Sequence, residues 1–87
     1  MNERSAMLSV FTDAVVTRQT DLFDSCVRLA YTAGAHLSDL LTAVDIARAL
    51  AEIPAPVVAR AAAAAHAWQW MAARRAEPRR DLVRQTA

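Results

Sequence analysis

The chain has 87 residues, ten basic and nine acidic side chains, and 55% hydrophobic residues, for a net charge of +1. That length admits one small domain, burying only roughly 60–65% of the surface its unfolded chain exposes, so help from a partner surface is expected. One Gly and three Pro leave almost nothing to punctuate strands and turns, and with the alanine run Ala61 to Ala65 this excludes a β-rich fold and sets an all-α class.

A first helix is expected from about Glu3 to Val16, with Met7, Leu8, Val10, Phe11, Ala14 and Val15 forming a wide apolar face. Thr12, Asp13, Thr17 and Arg18 interrupt that stripe, so no secretory leader is expected. No stretch reaches the roughly 18 apolar residues of a spanning helix, and a soluble protein is expected. Thr17 to Thr20 is a polar break, with Thr20 as N-cap and Asp21 in the first turn of a second helix running to about Ala33. Leu22, Phe23, Cys26, Val27, Leu29, Ala30 and Tyr31 recur on it at helical spacing, and Gly34 supplies the left-handed residue that ends it.

The third helix restarts with His36 or Ser38 as cap and Asp39 in its first turn. Leu40, Leu41, Ala43, Val44, Ala47, Leu50 and Ala51 mark its inner face, widened by Ile46 and Ala49. It stops before Pro54 because a residue preceding proline is pushed out of helical geometry. A fourth helix is expected from about Pro56 to Ala76, with Pro56 at its first position and Pro78 as its stop. The expected architecture is a compact bundle of four main helices, with residues 1–77 as one helical domain and 78–87 as a basic C-terminal tail.

Taken in order, Glu3-Arg4 before an apolar helix, Cys26 ahead of Gly34, the Ala33-Gly34-Ala35 hinge, and Ile53-Pro54-Ala55-Pro56 before an alanine-rich helix resemble the carboxymuconolactone decarboxylase and alkylhydroperoxidase D superfamily. The resemblance covers about Glu3 to Ala73 and implies an alkylhydroperoxidase D-like bundle that assembles into trimers, hexamers or related rings, while closed symmetry by itself makes a dimer or trimer the expected building unit. Counting back from Gly34, the family's two cysteines fall on Gln19 and Leu22, its histidine on Cys26, and its assisting acid near Met7. One thiol cannot complete a Cys-x-x-Cys cycle of attack and resolution. Thiol peroxidase activity is therefore not expected, and no catalytic residue is assigned.

Cys26, on an apolar face, reads as a small buried hydrophobe, with a remnant pocket nucleophile as the alternative. His66 and His36 lie on different helices, and no His-x-x-x-His, Cys-x-x-Cys or Glu-x-x-His pair occurs, so neither a metal nor a cofactor is expected. His66 precedes Trp70 by one turn, which makes a ring contact available. Cys26 and His66 are the pocket candidates. Trp68 and Trp70 point to different sides of the fourth helix, so at least one needs a partner beyond that helix's inward face, and both are interface candidates. The ten basic residues are all arginine, and Arg74, Arg75, Arg79, Arg80 and Arg84 crowd the C-terminal end. With a net charge of +1 and no trustworthy helix-turn-helix spacing they read as a solvated helix end rather than a nucleic-acid interface.

The lone thiol makes a reducing cytoplasm the default location. Three functions fit: a non-catalytic or catalytically altered homologue of this fold acting as a homo-oligomeric structural or binding protein; a thiol-independent isomerase or decarboxylase of a small organic acid; and an unrelated helical module that binds another protein.

Overall fold

The computed structural model describes residues 2–75, which form helices and connecting turns with no strand among them. Helix α1 spans Glu3–Val16, α2 Phe23–Thr32, α3 Leu37–Leu50 and α4 Ala55–Ala67. The expected four-helix bundle is what the chain forms. The end of the fourth helix near Ala76, its stop at Pro78 and the tail 78–87 lie outside the described residues.

Both ends of α1, the end of α2 and the start of α3 have local causes. Asn2 caps α1, its Oδ1 accepting the Ser5 N–H at 2.8 Å. At the far end Arg18 takes a left-handed φ of 60°. Its N–H reaches the Val15 carbonyl at 3.1 Å while the Gln19 N–H reaches that of Ala14 at 2.9 Å, the paired closure that a left-handed residue after a helix permits. Gly34, at φ 106°, repeats the pattern after α2, with Gly34 N–H to Tyr31 O and Ala35 N–H to Ala30 O, both 3.0 Å. Of the two proposed starts for α3, His36 is the cap: Asp39 Oδ2 accepts its backbone N–H at 2.9 Å.

Thr20 does not cap α2. It opens a 3₁₀ turn, Thr20–Leu22, and α2 begins at Phe23 without a side-chain cap. The left-handed Arg18 swings the chain round so tightly that the Leu22 N–H bonds the Gln19 carbonyl at 3.0 Å. Pro56 takes the second rather than the first position of α4, behind Ala55.

Helix α1 packs against both α2 and α3, and α4 closes the bundle against α2 and α3. Arg18 Nη2 donates to the Glu52 carbonyl at 3.1 Å, so the C-terminal ends of α1 and α3 lie together and the two helices run in the same sense. Asn2 to Arg4 share a surface depression with Ala33 and Gly34, which sets α2 antiparallel to α1. Phe11, Val15, Phe23, Val27, Tyr31 and Leu40 are fully buried between them. Phe11 and Phe23 meet edge to face, ring centres 6.0 Å apart. Ala43 and Ala47 of α3, with Ala61, Ala64 and Ala65 of α4, are also buried, and their small side chains let those helices pack closely.

The inner faces are narrower than the sequence implies. Leu50 is 70% exposed, Ile46 48% and Leu29 51%, and Val10 and Leu22 are also open to solvent. The apolar arcs of α1, α2 and α3 are wider than one small bundle can cover.

The fourth helix is not continuous. It stops at Ala67, turns through Trp68 and Gln69, and residues 70–75 are helical again. Past Ala67 the N–H groups of Gln69, Met71 and Ala72 reach back three residues instead of four. Two side-chain bonds hold the turn. Tyr31 Oη donates to the buried Ala65 carbonyl at 2.8 Å, a carbonyl that an uninterrupted helix would give to the Gln69 N–H, and the Trp68 indole N–H reaches Asp24 Oδ1 at 3.3 Å.

Candidate functional site

The turn at Trp68–Gln69 rearranges the two tryptophans. Expected on different sides, they meet with ring centres 6.0 Å apart and planes tilted by 34°. Arg28, one turn along α2 from Asp24, lays its guanidinium over Trp68 with Cζ 5.6 Å from the ring centre. Arg74 does the same over Trp70 at 5.9 Å. The result is a row, Arg28–Trp68–Trp70–Arg74, across the outer face of α2 and the end of the chain's last described helical segment. Trp70 is 47% exposed and Trp68 half-buried.

The row is fixed from below by Arg75. Its guanidinium donates to the Tyr31 carbonyl and, at 2.7 Å, to the Ala35 carbonyl. Tyr31 lies in the last turn of α2, where the helix dipole favours a cation, and Ala35 in the connection just after it. Burial pushes the Tyr31 phenol up from its usual 10.0, and the Arg75 charge partly opposes that rise.

The pocket candidates do not come together. Cys26 is 7% exposed, packed within the core cluster of Phe23, Val27 and Ala30, and burial raises its thiol above the ordinary 9.0. His66 is exposed on α4. The Trp70 ring, one turn beyond His66, meets Trp68. His36 serves the α3 N-terminus through its backbone.

A second concavity lies between α1 and α3, an open groove of about 330 Å³ lined by Leu8, Thr12, Asp13, Asp39, Thr42 and Ile46 among others. Thr12 and Thr42 each turn their hydroxyl back to a carbonyl of their own helix at 2.8 Å, those of Leu8 and Ser38. Asp39 is engaged at the α3 N-terminus. Among the described residues no group of three His, Cys, Asp or Glu side chains is placed to hold a metal ion.

Sequence reading singled out Trp68 and Trp70 but missed Arg28, Asp24 and Arg75. The spacing of Asp24 and Arg28 puts both on one side of α2 and was legible. Their meeting with Trp68 depends on the turn after Ala67, for which the alanine-rich segment carries no signal. No family model, no curated protein and no solved structure matches the chain. No helix among the described residues is long and apolar enough to cross a membrane.

Proposed function

We propose that this chain is a non-catalytic or catalytically altered helical module that works by assembly, as a cytoplasmic homo-oligomeric structural or binding protein. One observation carries the reading: on α3 the large apolar side chains Ile46, which lines the groove against α1, and Leu50, one turn further on, stand 48% and 70% exposed. Apolar side chains clustered on a helix face at this exposure mark a surface that another helix covers. A second copy is the occupant proposed here, because closed symmetric pairing lets a short chain complete its apolar burial.

The resemblance to the carboxymuconolactone decarboxylase and alkylhydroperoxidase D superfamily supports the same reading, in a form without the paired thiols. The thiol-independent enzyme on a small organic acid has less support. Its best site would be the α1–α3 groove, whose Asp13 and Asp39 carboxylates repel an anionic substrate. Sedimentation velocity on the wild type and on an Ile46→Asp, Leu50→Asp double variant tests the assembly. The wild type should sediment as an oligomer and the variant as a folded monomer; an oligomeric variant with unchanged mass rules out this face.

A further inference from the structure

We infer that the Arg28–Trp68–Trp70–Arg74 row is a docking surface for an acidic peptide segment of another protein, a site separate from the self-association face on α3. Two features of the geometry point to an anionic partner. A guanidinium held near an indole by cation–π attraction spends none of its N–H donors on the ring, so they remain able to grip a carboxylate in bidentate fashion. Arg28 and Arg74 do this at the two ends of one aromatic pair, at 5.6 Å and 5.9 Å from the ring centres. Among the described residues the one ion pair is Arg48 with Asp45, on α3; neither Arg28 nor Arg74 forms one, and the Asp24 carboxylate beside them is engaged by the Trp68 indole N–H.

The aromatic pair supplies the rest. Trp68 is locked by its indole bond to Asp24 and by contact with Trp70, so the surface is ordered before a partner arrives and little side-chain entropy is lost on binding. Trp70 is 47% exposed, and Trp and Arg are the residues that dominate protein interfaces. A peptide with carboxylates flanking an apolar side chain complements the row. Single-stranded nucleic acid fits less well, because each indole of the row already has a ring and a guanidinium as neighbours where a base would stack.

The test titrates the full chain with a synthetic peptide of repeated Glu-Glu-Leu, its Lys-Lys-Leu counterpart and a thymidine oligonucleotide, read by tryptophan fluorescence and by calorimetry at low and raised salt. The acidic peptide should bind and perturb the fluorescence, weaken as salt rises, and outcompete both other probes. Trp70→Ala and Arg74→Gln should each weaken it roughly tenfold or more, with Arg28→Gln similar. Arg48→Gln, on α3, should bind as the wild type, and circular dichroism confirms that each variant is folded. Absence of binding by the acidic peptide, binding that survives both Trp70→Ala and Arg74→Gln, or tighter binding of the oligonucleotide would each overturn the proposal.

Discussion

Replacing Tyr31 with Phe removes one oxygen and leaves the buried Ala65 carbonyl without the donor it holds at 2.8 Å. An unsatisfied buried acceptor costs about 1–3 kcal/mol, so chemical denaturation should show Tyr31→Phe destabilised by that order with an unchanged denaturant slope. Gly34→Ala isolates a different cause. A Cβ at Gly34 meets nothing within 4 Å, yet φ is 106°, so the cost, about 1–2 kcal/mol, is backbone conformation alone. Cys26 and Tyr31 set the pH response. Both groups titrate above their ordinary values, 9.0 and 10.0, because burial disfavours their anions. The unfolded chain loses these protons first as pH rises, so the folded state is the one holding more protons there. Stability from this source is intact below pH 9.0 and declines above it. Thermal melts across that range should show the fall, and Cys26→Ala should flatten its first part; a wild type equally stable well above pH 9.0 would contradict the burial.

Among the elements, the helical segment 70–75 owes its position to Arg75, whose guanidinium spans the Tyr31 and Ala35 carbonyls at the end of α2. Arg75→Ala should release that segment while leaving α1 to α3 intact. The expected signature is faster amide exchange across residues 68–75 and a red shift in tryptophan emission, without loss of protection in α1; unchanged exchange there would show that other contacts hold the segment. This is also where the sequence was least legible. Helices α1 to α3 announced themselves through the polar break at Thr17, the hinge at Gly34 and the proline at 54, although α2 starts at Phe23, where no side chain caps it, and not at Thr20. The turn at Trp68–Gln69 has no such local signal. Its causes are Tyr31 and Asp24, 34 and 44 residues away from their partners along the chain, and alanine-rich periodicity cannot report a bond at that distance. The tryptophan stack was lost with it. The exposure of Leu50 escaped for a related reason, since periodicity identifies an apolar arc but not how much of it one neighbour covers.

For the whole molecule, two surfaces divide the work proposed here: the α1–α3 side with Ile46 and Leu50 for a second copy, and the α2–α4 side with its arginine–tryptophan row for an acidic partner. They are independent, since neither Arg28 nor Trp70 lines the α1–α3 groove. The core alone is thin, with six large side chains fully buried and the remainder of the buried positions mostly alanine. A bundle so made gains from covering its exposed apolar arcs, and assembly ties its stability to its concentration. The expected consequence is a melting temperature that rises with protein concentration. The most direct test of the assembly is the mass of the wild-type chain in solution, measured by light scattering from micromolar concentration upward at moderate salt. A stable mass at an integer multiple of 9.5 kDa, retained on dilution to micromolar protein, is the predicted result; a mass of 9.5 kDa across the whole range would contradict it.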